Sequence, residues 1–268
     1  MSVEDVKDPF DRQKCIVGWD QSLVGRQVCL VVGVGGLGCS VAMALSRLGV
    51  QRLILIDKDK VELTNLNRQV LFSTSQVGMF KTEAAAEGLK PHVVGDTLVH
   101  VHTFDVLQQW SRLVALARES TVIFNNVDVG GQLDFALIAL AKKLRIPYAA
   151  GSSYARTWIV EYYNGLADCS SFSFENWEGS SESLERLQPD VIDSHENLEF
   201  IVPDPKPDTR KIGSSVIVCC SAGLMTVNAW LQGLFGLEMP NYTKFDIAGF
   251  WNSGDVLAWP MPRLGSSS

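Results

Sequence analysis

The run Gly33-Val34-Gly35-Gly36-Leu37-Gly38 places four glycines where a short apolar segment, Val28–Val32, gives way to a helical pattern. Glycine serves where the chain must turn tightly and where phosphate oxygens must come close to backbone N–H groups. A helix opening at that point adds positive potential for an anion. Asp57 closes the next apolar run, at the separation where an acidic side chain meets ribose hydroxyls. Together these features indicate a nucleotide. A dinucleotide dehydrogenase would show the same loop, and a glycine turn that only packs helix on strand is the bland alternative.

Past Asp57 the pattern becomes more specific. The chain reads Lys58-Asp59-Lys60-Val61-Glu62-Leu63-Thr64-Asn65-Leu66-Asn67-Arg68-Gln69, and further on Val77-Gly78-Met79-Phe80-Lys81. A glycine loop, an acid-x-acid pair, Asn-x-x-Arg-Gln and Val-Gly-x-x-Lys in this order resemble the ThiF-type adenylating family. That family includes ubiquitin-activating enzymes and the adenylyltransferases of thiamine and molybdopterin biosynthesis. The resemblance covers residues 8–165 well and runs more loosely to residue 260. It implies ATP and Mg2+ as cofactors and adenylation of a carboxylate, with pyrophosphate expelled.

That chemistry brings two anions together and builds charge on the leaving group, so cations must be aimed at the phosphates. Arg68 can clamp a phosphate bidentately and Lys81 can act as a point charge. A lone lysine at a helix start is usually a solvated surface group, yet that end of a helix dipole disfavours a cation. By the resemblance, Gly33, Gly35, Gly36 and Gly38 form the nucleotide cradle, Asn65 contacts the phosphates and Asp57 the ribose. Asp59 is the second acid of the pair. Asp128, in Phe124-Asn125-Asn126-Val127-Asp128, matches the acid that relatives use on magnesium and the triphosphate; helix N-capping is its other reading. Asn125 and Asn126 stand where relatives often carry another acid. Phe10-Asp11-Arg12-Gln13 resembles a segment whose arginine enters the other subunit's active site. Carried to Arg12, this implies a dimer, with a homodimer expected and a heterodimer open.

Other positions depart from the family. Many relatives bind zinc through two Cys-x-x-Cys pairs. Here only Cys169 remains of the first, and the second region holds adjacent Cys219 and Cys220. Adjacent helical residues point about 100° apart and do not chelate as such a loop does, so no zinc is expected. Cys219 and Cys220 read as small apolar residues of a buried helix. Cys169 is the one cysteine beside the crossover region, and neighbouring Asp168 disfavours a thiolate there. Cys39 follows the glycine loop and reads as core. The histidines show no metal or triad spacing.

The elements that would position these residues alternate along the chain. Strands are expected at Val28–Val32, Arg52–Ile56, Thr97–Phe104, Thr121–Phe124 and from Tyr148. Helices are expected at Ser40–Leu48, Lys81–Leu89, Val106–Arg118 and Gln132–Leu144. This alternation predicts a doubly wound, mostly parallel α/β sheet of Rossmann-like ThiF type. Thr157–Tyr163 reads as a further strand. Ser170–Arg210 is acidic and proline-containing and reads as a long surface loop. Ile212–Phe235 is apolar, but its serines, Asn228 and Gln232 favour a core helix over a bilayer span. Tyr242–Pro260 reads as two antiparallel strands around Asn252-Ser253-Gly254-Asp255, and Gly265–Ser268 as a loose end. The expected organisation is an adenylation core at 1–165, a crossover at 166–211, and a helix and hairpin at 212–264 that complete the same domain.

Composition bounds the partners. The chain has 268 residues, 46% of them apolar and 20% charged, enough for a sizeable core. A net charge of -7 argues against nucleic acid and anionic membranes. Six cysteines without a framework, and an opening segment without an apolar stretch, point to a reducing, cytoplasmic setting. The expected partner, by the resemblance, is a ubiquitin-like or sulfur-carrier protein whose C-terminal glycine is adenylated. Alternatives are activation of a carboxylate on a modified tRNA or a peptide, and a scaffold half of an activating heterodimer, which commonly loses the glycines or cations this chain keeps.

Overall fold

Val28-Cys29-Leu30-Val31-Val32 forms strand β1 with all five residues buried, because helices cover both faces of the sheet. Cys29 and Val31 enter one core layer, while Val28, Leu30 and Val32 enter the other. The computed structural model describes residues 8–127, 131–154, 157–165, 191–194, 196, 214–239 and 242–246.

Two short helices, α1 (Asp11–Lys14) and α2 (Gln21–Val24), precede β1. The chain continues through α3 (Gly36–Leu48), β2 (Arg52–Asp57), α4 (Lys81–Leu89), β3 (Leu98–Thr103), α5 (Trp110–Arg118), β4 (Val122–Asn125), α6 (Gly131–Leu144), β5 (Tyr148–Tyr154) and β6 (Thr157–Tyr163). Helix α7 (Val216–Leu234) and strand β7 (Tyr242–Asp246) complete the described elements. The sheet order is β3-β2-β1-β4-β5-β6-β7. Strands β3 to β5 in that order are parallel, and β6 and β7 add antiparallel edges. Order reverses between β1 and β4, the crevice where doubly wound sheets bind ligands. The doubly wound, mostly parallel sheet expected from the sequence is the sheet observed.

The differences are local. Helix α3 starts at Gly36, not Ser40, so the glycine loop itself supplies its first turn. Residues 106–109 form turns, and α5 starts at Trp110. Trp110 is fully buried and donates its indole N–H to the Ile192 carbonyl at 2.8 Å, which anchors the helix start there. Strand β5 extends to Tyr154 because antiparallel β6 pairs along its whole length. The second strand of the expected C-terminal hairpin lies outside the described residues, as do Cys169 and most of the crossover.

Helix α7 is long and apolar enough to cross a bilayer by length and composition. One of its faces is buried against α3 and the sheet through Val218, Ala222, Thr226, Val227 and Trp230. Trp230 meets Phe124 of β4 edge to face at 5.5 Å. A side chain on Gly223 would lie 2.7 Å from the Leu37 carbonyl oxygen of α3, so this glycine permits the close approach. Helix α7 thereby brings its N-terminus beside the start of α3.

Candidate functional site: a glycine cradle at the switch point

Gly33 leaves β1 with φ +86°, a conformation that favours glycine, and its N–H bonds the Ile56 carbonyl at 2.8 Å. A Cβ on Gly33 would lie 2.9 Å from the carbonyl carbon of Asn126, and one on Gly38 would lie 2.0 Å from the Gly33 carbonyl oxygen. These positions admit no side chain. The first turn of α3, like any helix start, has N–H groups without a partner within the helix.

Asp57 ends β2 and steadies this loop. Its carboxylate accepts the Val34 N–H at 2.7 Å and the Asp59 N–H at 2.9 Å. Burial pushes its pKa up, against the opposing pull of Lys81 and those two N–H groups. Lys81 opens α4. Its ammonium lies 2.9 Å from the Asp59 carboxylate, and its field reaches both Asp57 and Cys39. A small antiparallel pairing of residues 60–61 with 78–80 holds it in place: Val61 N–H bonds the Met79 carbonyl, and Gly78 N–H bonds the Val61 carbonyl.

Asn65 is buried, and its Oδ1 accepts the Glu62 N–H at 3.0 Å, capping the turn that carries Arg68. Arg68 lays its stem over the loop: its Cγ would be 3.5 Å from a Cβ on Gly36. Its Nη1 donates to the Thr64 carbonyl at 3.0 Å and to Asn67 Oδ1 at 2.9 Å. The structure thus brings Gly33, Gly35, Gly36, Gly38, Asp57, Asp59, Asn65, Arg68 and Lys81 to one end of the sheet. Asp128 lies outside the described residues.

Arg12 is elsewhere. It is exposed on α1, and neighbouring Gln13 donates to the Leu48 carbonyl at 3.3 Å, at the far end of α3. Helix α3 has 13 residues, about 20 Å by its rise, so Arg12 and the glycine loop of one chain sit at opposite ends of it.

Three residues at the loop were not assigned to the site from sequence. Gln69, adjacent to Arg68, is buried; its Nε2 would be 3.7 Å from a Cβ on Gly35, and its Oε1 has no hydrogen-bond partner. Its place in the quoted motif was the available signal. Asn126 follows β4, and both polar atoms of its carboxamide are buried without partners. Cys219, expected as plain helix core, lies against Gly36, where a Cβ would meet its sulfur at 2.8 Å. Its thiol pairs with the hydroxyls of Ser214 at 3.0 Å and Ser153 at 3.5 Å. No local sequence signal foretold that contact. Cys39 is core, as expected, with its thiol pushed up to about 12 by burial.

The fold and this turn define a doubly wound α/β protein whose first strand passes through a glycine loop into a helix. The chain belongs to the ThiF family, whose profile matches residues 14–251. It is similar to molybdopterin-synthase adenylyltransferase of Escherichia coli (strain K12), 32% identical over 153 residues that span 54% of this chain and 57% of that one. It is 39% identical over 108 residues to ubiquitin-like modifier-activating enzyme 5 of Caenorhabditis elegans, spanning 40% of this chain and 25% of the other. Among solved structures, E. coli MccB with MccA-N7isoASN aligns at a TM-score of 0.65 and 20% identity, over 84% of this chain and 62% of that one. The chain thus spans less than two thirds of each of these relatives.

Proposed function

We propose that this chain uses ATP to adenylate a carboxylate, and that the carboxylate is the C-terminal glycine of a ubiquitin-like or sulfur-carrier protein. The observation that carries the reading is one cation held beside the glycine loop: Lys81 sits on Asp59, and its field reaches Asp57, whose carboxylate steadies the loop; Arg68 lays its stem over Gly36 with its guanidinium on Thr64 and Asn67, one side-chain rotation from the same loop. Family membership and the names of the relatives support the same chemistry.

The cradle fits a phosphate, since its glycines leave backbone N–H groups uncovered where any Cβ would intrude. The two cations draw charge from the α-phosphate as the carboxylate attacks, and they stabilise the departing pyrophosphate. Asp57 is the ribose-side acid; its N–H contacts keep it aimed while burial resists its ionisation. By the family resemblance, Asp128 is the carboxylate we assign to Mg2+. Mg2+ would add positive charge beside the triphosphate.

The position of Arg12 supports action in trans. At about 20 Å along α3 it cannot serve its own loop, whereas a second copy could present it. We therefore read the active unit as a dimer. The test is ATP–pyrophosphate exchange with Mg-ATP and a panel of ubiquitin-like and sulfur-carrier proteins. Exchange that depends on a carrier is the expected result; ATP binding with no exchange for any carrier would sink the reading. A chain that binds no ATP would be a scaffold half instead.

A further inference from the structure

Helix α7 carries more apolar surface than the core covers. Ile217, Leu224 and Leu231 recur at seven-residue steps and share one stripe, opposite the buried Ala222, Thr226 and Trp230. Ile217 is 62% exposed and Leu224 43%. Leu224 and Leu231 face Met43 and Leu48 of α3 across an open groove that Gln13 also lines. An apolar surface of this extent, rimmed by polar groups, marks a contact with another molecule.

The two ends of this face complement each other. Helices α3 and α7 run side by side in one direction: Cys219 lies on Gly36 at one end, and Leu231 shares the groove with Leu48 at the other. Val216 and Ile217 are exposed at the glycine end. Ile16 and the fully exposed Val17 stand at the Leu48 end, just past Arg12 and Gln13. A two-fold axis standing upright on the middle of α3 lays a second copy over the first with its helices reversed. It sets Ile16 and Val17 of each copy toward Val216 and Ile217 of the other, and it brings Leu224, near mid-length of α7, beside its own counterpart. The same operation carries each Arg12 the length of α3, about 20 Å, to the glycine loop of the other copy. A two-fold axis along the helices would leave every Arg12 at the wrong end. One closed operation thus covers both apolar ends and completes both sites.

We propose that the α3–α7 face binds a second copy of this chain about a two-fold axis beside Leu224, and that this pairing delivers Arg12 to the other copy's glycine loop. The role of Arg12 rests on the adenylation reading given above. The choice of face rests on the exposed apolar residues and on the match between its two ends.

The experiment measures mass by light scattering and carrier-dependent ATP–pyrophosphate exchange, on the full chain and on variants. The native chain should be a dimer. Leu224→Asp places a charge on the axis; it should be a folded monomer whose exchange falls by about tenfold or more. Leu98→Asp, a control at a 56% exposed position on edge strand β3, should keep both mass and exchange. Leu224→Cys tests the face without a disruptive charge. In a Cys15→Ser background a short bis-maleimide should join it into a covalent dimer, because a residue beside the axis meets its own counterpart, and Cys15→Ser alone should stay unlinked. A native chain that exchanges as a monomer overturns the proposal and leaves adenylation standing. So does a Leu224→Asp protein that stays dimeric, or a monomer that holds the carrier on this face and loses it on Leu224→Asp. A native dimer that Leu224→Asp splits, but that exchanges with no carrier, upholds the pairing and sinks the adenylation reading.

Discussion

The ammonium of Lys81 lies 2.9 Å from the Asp59 carboxylate, and the two ends of the pair differ sharply in environment: Lys81 is 10% exposed and Asp59 54%. A pair so open at one end is worth about 1 kcal/mol or less. It stores a cation beside the glycine loop more than it holds the fold together. A phosphate entering the cradle meets that cation with its desolvation already largely met. Lys81→Met keeps the stem and removes the charge. It should lower carrier-dependent exchange by about 100-fold or more while shifting the melting temperature little. Near-native exchange by a folded Lys81→Met protein would make Lys81 a packing residue.

The glycines should not be equal. On Gly38 the obstacle is the Gly33 carbonyl oxygen, 2.0 Å from an added Cβ, and backbone cannot yield. Gly38→Ala should therefore cost about 3 kcal/mol or more in urea unfolding. On Gly36 the nearest obstacle is the Cys219 sulfur at 2.8 Å, a small side chain that can move. Gly36→Ala should fold and bind ATP less tightly, and adding Cys219→Ala should restore part of the lost affinity. Calorimetric titration of the three variants with Mg-ATP checks this ordering.

Because Arg12 and the loop lie at opposite ends of α3, complementation between chains is expected. Arg12→Ala and Lys81→Met should each be inactive alone. Mixed and allowed to exchange subunits, they should recover about a quarter of native exchange, from the one intact site in each mixed dimer. A mixture as inactive as its components would place Arg12 outside the reaction.

A pH dependence should come from the other face of the sheet. Glu161 of β6, opposite Ala150 in register, has its pKa raised from 4.5 to about 7 by burial and by Asp134. Asp134 is itself tied to Asn125 at 2.6 Å and to the Tyr148 hydroxyl at 2.8 Å. The folded chain thus holds the Glu161 proton more tightly than the unfolded chain, and its contribution to stability falls as pH rises from 4.5 to about 7, then levels off. Glu161→Gln should raise stability at pH 8 by about 1–3 kcal/mol and change it little near pH 4.5. Urea unfolding at both pH values measures the difference; equal effects at both would remove Glu161 as the cause.

Much of this molecule was readable in one dimension. Strand β1, helix α4 and strand β6 begin and end where apolar spacing and turn residues put them, because those signals are local. The glycine loop and Asp57 were legible for the same reason: a strand, a tight turn and a helix start are contiguous, so their chemistry is written in one segment. Where the sequence misled, a distant partner intervened. The start of α5 waits on the Trp110 bond to Ile192, and the length of β5 depends on β6.

By itself, then, the chain's order of residue types determined a doubly wound sheet, a glycine loop after its first strand and the candidate cations, since each rests on backbone preferences and charge within a short stretch. Only packing decided that Cys219 lies on Gly36, that Arg12 stands at the far end of α3, and that Asn126 is buried with both polar atoms unpaired. Those are relations between segments brought together by burial of apolar faces. Periodicity says which side of an element is apolar, but not which residue of another element it will meet.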